Sequence, residues 1–253
     1  MHAPYELRQD EHFDAAIVVD SLRTTTTILT ALESGAVGVL PGPPGGTSQK
    51  TVAGPAGWLW GGEKDGRKPA AFDLGNSPLE MVRPWDGRGL VLQTTNGTRA
   101  FAVCAAVAAR VYAACLRNRR AVANLLPLSG RVLLCCAGDH GSTSFEDVLT
   151  AGAIAEVIAQ NTAAARAGVA AIAAIEMDDL TWLALLAWQQ VWRQARTNKQ
   201  GLVETVLACS RNARRLAGMG MRADVYFALD VDASRSVPVL VDSVVRLYSP
   251  SVS

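Results

Sequence analysis

The chain has 253 residues, of which 49% are hydrophobic, and its 24 basic and 23 acidic residues leave a formal net charge of +1. This length lies near the upper limit for one core, and the even charge balance without a basic tract argues against nucleic-acid or membrane-surface binding. No apolar run reaches membrane-spanning length. The five cysteines include no C-x-x-C pair, which disfavours structural zinc and indicates reduced thiols in the cytoplasm. We therefore expect one cytoplasmic domain over residues 1–253.

Short apolar runs alternate with helical patterns along the chain, which is typical of an α/β fold. The first half predicts a buried strand, a helix stopped by Gly35, a second strand and a Pro- and Gly-rich connection. A third strand then leads to Glu63 and a loop, and a fourth leads to a helix that ends near Val107. The bounds in this order are Ala15–Val19, Thr26–Ser34, Val37–Leu40, Pro41–Gly57, Trp58–Trp60, Lys64–Pro78 and Leu90–Thr94.

The second half predicts two strands separated by a helix, then three longer helices and a terminal antiparallel piece. We therefore expect a layered mixed β-sheet flanked by helices. The strands are Val111–Cys115 and Val132–Gly138, with the helix Ala121–Leu126 between them. The longer helices are Glu146–Gln160, Leu180–Gln194 and Leu202–Leu216, and the terminal runs are Val225–Leu229, Val237–Val241 and Val244–Tyr248.

Three segments share one design, in which a buried strand is followed by polar residues and then by a helix start. Ligands of open α/β sheets sit beyond the carboxyl ends of strands, and a helix N-terminus there suits phosphate. In the first segment, Asp20 ends a strand and could bind magnesium or attack phosphorus, while Arg23 could clamp phosphate oxygens. The hydroxyls of Thr24–Thr27 begin the helix. The alternative is a surface ion pair with Thr24 as helix cap.

The second and third segments are more ambiguous. The stretch Thr94–Thr98 could cradle an anion, although Asn-Gly is also a common hairpin turn. Glu146 and Asp147 could hold magnesium, although Ser144 and Asp147 also match a helix-capping box. The nearby His140 could be an acid, a base or an ordinary loop histidine.

Taken together, these segments resemble the 2-phosphosulfolactate phosphatase family. The similarity runs in order from about Asp20 to Pro238, and the combination of FDLGNSP with TTNGT is its most specific part. Near the C-terminus the family often shows Ser-x-His-Gly, where this chain has Ser210-Arg211-Asn212-Ala213. The similar stretches are Asp20–Ile28, Gly61–Pro78, Thr94–Ala100 and Cys136–Gly152.

The resemblance implies Mg²⁺-dependent hydrolysis of a phosphate ester on a small 2-hydroxy carboxylic acid, and it adds Glu63, Asp73 and Asn76 to the site candidates. The nucleophile is either a metal-activated water or Asp20. The expected Mg²⁺ ligands are some of Asp20, Glu63, Glu146 and Asp147. The expected catalytic residues are Asp20 and Arg23, and the expected phosphate-binding residues are Thr25, Asn76, Thr95, Asn96, Gly97 and Thr98.

Several alternatives stay open at this point. A binding protein without turnover, or a phosphotransferase that passes phosphate to an alcohol, would use the same pocket. A substrate with a carboxylate beside its phosphate requires a second cationic group, for which Arg99 and Arg117 follow predicted strands. The tryptophans Trp182, Trp188 and Trp192 indicate either a packed helix face or the subunit contact of a homodimer.

Overall fold

A computed structural model describes residues 1, 7, 10–43, 49–50, 54–127, 129–165, 175–195 and 199–249. Parts of the predicted connection Pro41–Gly57, residues 44–48 and 51–53, lie outside the described residues. The strands are β1 (Ala15–Val19), β2 (Val39–Pro41), β3 (Leu59–Gly62), β4 (Leu90–Gln93), β5 (Val111–Ala114), β6 (Val132–Cys136), β7 (Pro238–Val241) and β8 (Val244–Leu247). They form one eight-stranded sheet of order β3-β4-β2-β8-β7-β5-β1-β6.

The sheet consists of two parallel groups joined by an antiparallel hairpin. Strands β3, β4 and β2 run parallel to one another, as do β5, β1 and β6. The hairpin β7–β8 pairs antiparallel with β5 and β2, so the two groups run in opposite senses. Sheets twist by roughly 20–25° per strand step. The relative orientation of the carboxyl ends of β4 and β1 therefore depends on the twist of the strands between them.

The layered mixed α/β fold is therefore confirmed, with two local differences. The run Val225–Leu229 belongs to a helix rather than a strand, and the predicted helix Leu202–Leu216 is two helices that meet at Ser210. No described helix is long and apolar enough to span a bilayer. The helices are α1 (Thr24–Glu33), α2 (Gly97–Val107), α3 (Arg119–Leu125), α4 (Phe145–Ala165), α5 (Asp179–Ala195), α6 (Lys199–Cys209), α7 (Arg211–Gly218) and α8 (Arg222–Ala228).

Strand β1 is buried on both faces because helices cover both sides of the sheet. Its side chains alternate between two cores, as the two-residue period of a strand requires. Ala16 and Val18 pack in the core that contains α1 and α2, whereas Ile17 and Val19 pack in the core that contains α3 and α4. In a third core, Trp188 is fully buried and stacks on Trp192 at a centroid distance of 5.1 Å. These two tryptophans therefore belong to a packed helix face.

Candidate active site

A cleft at the carboxyl ends of β1, β3 and β4 brings together polar residues that are distant in sequence. Six residues that the sequence predicted line it, and so do seven further residues that the sequence did not place there or left open. The predicted residues are Asp20, Arg23, Glu63, Asn76, Thr95 and Asn96. The further residues are Thr24, Gly66, Gly138, His140, Asn212, Arg215 and Leu216.

Asp20 lies at the floor of this cleft, directly after β1. Its Oδ1 accepts a long hydrogen bond of 3.4 Å from the Thr24 N–H. Burial, followed by the negative charges of Glu63 and Glu146, raises the pKa of Asp20 to about 6. Helix α2 packs so closely here that a Cβ on Gly97 would lie 2.6 Å from Asp20 Oδ2. Burial and the neighbouring negative charges therefore disfavour ionisation of Asp20, and one of its oxygens is available to a ligand.

The threonines that follow Asp20 form the first turn of α1, although threonine is a modest helix former. Their hydroxyls bond to main-chain carbonyls inside the protein. Thr25 Oγ1 donates to Asp20 O at 2.9 Å, Thr26 Oγ1 to Ser21 O at 2.5 Å, and Thr27 Oγ1 to Asn76 O at 3.0 Å. Thr25, which was predicted to bind phosphate, therefore holds the Asp20 backbone and does not line the cleft.

Arg23 is buried beside the cleft and held by residues of two distant segments. Its Nε donates to Asn76 O at 2.5 Å, and its Nη1 lies 3.0 Å from Met221 Sδ and 3.5 Å from Asp224 Oδ2. Asp224 is fixed in turn by a 2.7 Å hydrogen bond from Ser77 Oγ. These contacts fix the guanidinium in one orientation against the cleft. The partner Asp224 was missed in the sequence because it adjoins the run misassigned as a strand.

Glu63 organises the loop before α2. Its Oε1 accepts from the Thr95 N–H at 2.7 Å, and its Oε2 accepts from the Gly66 N–H at 2.6 Å. The Thr98 N–H donates to Thr94 Oγ1 at 3.2 Å. Two of the predicted phosphate-binding amides, those of Thr95 and Thr98, are therefore occupied within the protein. The amides of Asn96 and Gly97, at the start of α2, have no acceptor among the described residues.

Asp147 and Glu146 lie behind the cleft rather than on its wall. Asp147 accepts from the Ser21 N–H at 2.9 Å and from the Gly138 N–H at 3.0 Å, so it joins the ends of β1 and β6. Burial and the charges of Glu146 and Asp20 raise the pKa of Asp147 well above its usual range. Because these bonds occupy both Asp147 oxygens, the carboxylate does not act as the capping-box partner of Ser144.

Glu146 connects α4 to the start of α7. Its Oε2 accepts from Ser210 Oγ at 2.6 Å, and its Oε1 accepts from Asn212 Nδ2 at 3.0 Å. Ser210 also caps α7 by accepting from the Ala213 N–H at 2.9 Å. The stretch Ser210–Ala213 is therefore joined to the site through Glu146, and Asn212 lines the cleft.

The other candidates do not line the cleft, although Gly97 packs directly against Asp20. Thr98 and Gly97 support the loop from inside, and Asp73 accepts from the Trp60 N–H at 2.8 Å. Arg99 is exposed on α2. Arg117 donates to Phe227 O at 2.9 Å and stacks on that ring. Neither arginine supplies the expected second cation of the cleft.

The hydrogen bonds of each carboxylate near the cleft indicate which of them could bind a metal ion. Among the described residues, no group of three or more His, Cys, Asp or Glu side chains is arranged to hold one metal ion. Glu63, Glu146 and Asp147 each accept N–H or O–H donors on both oxygens. Asp20 is the exception. A single available carboxylate fits Mg²⁺, which often uses one or two carboxylates and keeps several waters.

Three buried polar atoms of the cleft residues have no hydrogen-bond partner in the described part of the chain. They are Asn76 Oδ1, Thr95 Oγ1 and Arg215 Nε. Buried polar atoms are nearly always paired in folded proteins, so unpaired ones at a cleft indicate contacts that a ligand, ion or water completes.

Comparison with known proteins places this site in a family. The family model for 2-phosphosulpholactate phosphatase matches residues 1–243. A probable 2-phosphosulfolactate phosphatase of Pseudothermotoga lettingae is 35% identical over 226 residues, which cover 89% of each chain. Proteins of the same printed name from Deinococcus radiodurans and Prochlorococcus marinus are 34% and 35% identical, and each alignment covers 95% of this chain and 94% of the relative.

Proposed function

The chain belongs to the 2-phosphosulpholactate phosphatase family, and we propose that it hydrolyses the phosphate ester of a small 2-hydroxy carboxylic acid similar to 2-phosphosulfolactate. The products are the hydroxy acid and inorganic phosphate, which makes the protein a phosphoric monoester hydrolase. The observation that carries the proposal is the cleft in which the carboxylate of Asp20 and the guanidinium of Arg23 lie together beside the start of α2.

We propose Mg²⁺ as the cofactor, with Asp20 as its direct protein ligand. The charges of Glu63 and Glu146 add to the cost of ionising Asp20, and a cation would offset this repulsion. Glu63 and Glu146 then contribute negative charge from their fixed positions, and Asn76 Oδ1 is a candidate neutral oxygen ligand. When bound, Mg²⁺ would supply charge neutralisation of the phosphate.

The protein groups would act mainly by positioning and electrostatics, as is usual in phosphoryl transfer. The fixed guanidinium of Arg23 binds equatorial phosphate oxygens. Thr95 Oγ1 and the amides of Asn96 and Gly97 donate to the same group from the positive end of α2. These donors do not need to reorganise during the reaction, because hydrogen bonds within the protein already hold their backbone.

The nucleophile is either water or Asp20 itself, and the two routes differ in one intermediate. Attack by Asp20 forms a bond between its carboxylate oxygen and phosphorus as the P–O bond to the substrate's alcohol oxygen breaks. The alcohol leaves with a proton from water, and a second water then hydrolyses the acyl phosphate to restore the carboxylate and release phosphate. Direct attack by water forms no such intermediate. Rapid acid quench with labelled substrate separates them, because only the first route leaves hydroxylamine-sensitive label on the protein.

The experiment that tests the function is a phosphatase screen over phosphorylated 2-hydroxy acids, in Mg²⁺ and in chelator. Release of inorganic phosphate in Mg²⁺ supports the proposal. Repeating the screen with an added alcohol separates a phosphatase from a phosphotransferase, since only the latter forms the alcohol's phosphate ester. Absence of turnover on every phosphorylated hydroxy acid would contradict the proposed function.

We also propose a cytoplasmic location and a homodimer. All five cysteines are free, and four of them are buried, which suits a reducing compartment. Helix α5 exposes Leu180, Leu183 and Leu186 on its surface, which supports a contact with a second copy of the chain. Sedimentation of the protein and of Leu183→Glu tests the dimer, because a charge at this contact should give the monomer mass.

A further inference from the structure

The cleft contains a second arginine, Arg215, which the proposed contacts to phosphate do not use. A phosphorylated 2-hydroxy acid carries an acidic group on the carbon that bears its phosphate ester, so two anions enter together. Resting on the proposed function, we propose that Arg215 binds this acidic group and thereby determines the substrate class. Arg23 and Arg215 are the arginines that line the cleft in the described part of the chain.

Arg215 is held in place by the stretch that departs from the family pattern. Its Nη2 donates to Asn212 Oδ1 at 2.8 Å, while Asn212 Nδ2 donates to Glu146 Oε1 at 3.0 Å. An amide that donates on one side and accepts on the other has a single orientation. Asn212 therefore transmits the position of Glu146, at the start of α4, to the guanidinium of Arg215.

The other guanidinium atoms of Arg215 are the ones that an anion could contact. Arg215 Nε is buried and has no hydrogen-bond partner among the described residues. A Cβ on Gly66 would lie 3.6 Å from Arg215 Nη1 and equally far from Met219 Sδ and Cε. Nη1 therefore lies beside Gly66, whose N–H donates to Glu63, and no side chain of residue 66 covers it. A guanidinium with unused donors is suited to a planar carboxylate or to a sulfonate.

Among the described residues, Arg215 has only a long ion pair with a carboxylate, that between its Nη2 and Asp139 Oδ1 at 3.8 Å. The other oxygen of Asp139, Oδ2, lies 3.5 Å from Arg211 Nη2. The Arg215 side chain is 35% exposed, whereas that of Arg211 is 72% exposed and does not line the cleft. Arg211 is therefore a matched control, because it lies on the same helix and contacts the same aspartate.

The test compares a phosphorylated 2-hydroxy acid, 2-phospholactate, with isopropyl phosphate, which lacks the acidic group. We expect Arg215→Met to lower the ratio of the two kcat/KM values by roughly 10- to 100-fold, the range for one lost charge-assisted interaction. Arg215→Lys should recover part of this ratio, and Arg211→Met should change it by less than about twofold. An unchanged ratio in Arg215→Met, or an equal loss in Arg211→Met, overturns the inference.

A binding measurement separates failure of this inference from failure of the proposed function. Calorimetric titration with lactate and with sulfolactate reports on recognition of the acid without any turnover. Loss of this binding in Arg215→Met, but not in Arg211→Met, supports the inference even if the wild-type protein releases no phosphate. If the wild-type protein binds neither acid and shows no preference for 2-phospholactate, Arg215 does not determine the substrate class.

Discussion

Ser210 Oγ donates a 2.6 Å hydrogen bond to Glu146 Oε2, which links the break between α6 and α7 to the carboxylate behind the cleft. The same hydroxyl caps α7 at the Ala213 N–H. Ser210→Ala should lose a helix cap and leave a buried carboxylate oxygen without its donor, at a cost of roughly 2–4 kcal/mol. Chemical denaturation measures this loss. The control is Cys209→Ala at the neighbouring exposed position, which should change stability by less than about 0.5 kcal/mol.

Asp20→Asn should abolish turnover and yet stabilise the metal-free protein at alkaline pH. Burial holds the pKa of Asp20 at about 6 in the folded protein, above its ordinary value of 3.8. A raised carboxyl pKa contributes stability at low pH that is lost as the pH rises through about 6. The asparagine variant avoids this loss, which amounts to at most about 3 kcal/mol. Melting temperatures in chelator should therefore diverge as the pH rises from about 4 to 6 and keep a constant difference above about pH 7, with the variant higher. A melting temperature of Asp20→Asn below that of the wild-type protein at pH 8 would contradict the raised pKa of Asp20.

The proximity of Glu63 and Asn96 could be predicted because they follow the parallel strands β3 and β4, and polar residues after neighbouring parallel strands meet at one edge. Asp20 follows β1, which belongs to the oppositely directed group, so its approach to Glu63 depends on tertiary packing. The roles of the threonines could not be predicted, since their helix propensity is modest and their hydroxyls bond to particular carbonyls, of which that of Asn76 is distant in sequence. Likewise, the five-residue run Val225–Leu229 fits a strand or a buried helix equally well by pattern. Its misassignment concealed Asp224, the partner of Arg23.

Arg215 was missed for a different reason. The sequence Ser210-Arg211-Asn212 carries a helix-start signal, since serine is a preferred N-cap residue. The uninterrupted apolar pattern on either side nevertheless predicted one helix across Leu202–Leu216. Recognising the break would have placed the start of a helix, and with it Arg215, among the candidates near a site. The contact of Asn212 with Glu146 depends on tertiary packing and has no local signal.

Magnesium binding should depend on pH through Asp20. A proton and Mg²⁺ compete for the same carboxylate, and the Asp20 pKa of about 6 sets the crossover. The Mg²⁺-induced rise in melting temperature should be constant above about pH 7 and shrink below pH 6, where affinity falls by up to about tenfold per pH unit. Asp20→Asn should show no Mg²⁺ shift at any pH. Full phosphatase activity in excess chelator would falsify the metal proposal.

Arg23→Lys should lower kcat more than it raises KM. The planar guanidinium of Arg23 contacts the Asn76 carbonyl and Asp224 Oδ2 while it faces the cleft. A lysine ammonium cannot make these contacts together. Loss of one such donor to the transition state costs roughly 3–4 kcal/mol, or about two to three decades in kcat. Steady-state kinetics on 2-phospholactate measure this effect. Asp224→Asn, which retains the guanidinium, should lose less than about tenfold, and near-normal kcat in Arg23→Lys would exclude a role in the transition state.

Gly97→Ala should damage catalysis without a change in any ionisable group. A Cβ at Gly97 would lie 2.6 Å from Asp20 Oδ2 and 2.6 Å from Thr24 Cβ, closer than real Cβ contacts allow. The Asp20 carboxylate or the start of α2 must therefore move, and a displacement of about 1 Å at a reacting group can cost on the order of 100-fold in rate. Gly218→Ala is the matched control, because it is also a helical glycine and no atom lies within 4 Å of its added Cβ. Alanine there should leave kcat unchanged and raise stability by about 0.5–1 kcal/mol. Equal kcat values for the two variants would show that the close approach of α2 to Asp20 does not position the carboxylate.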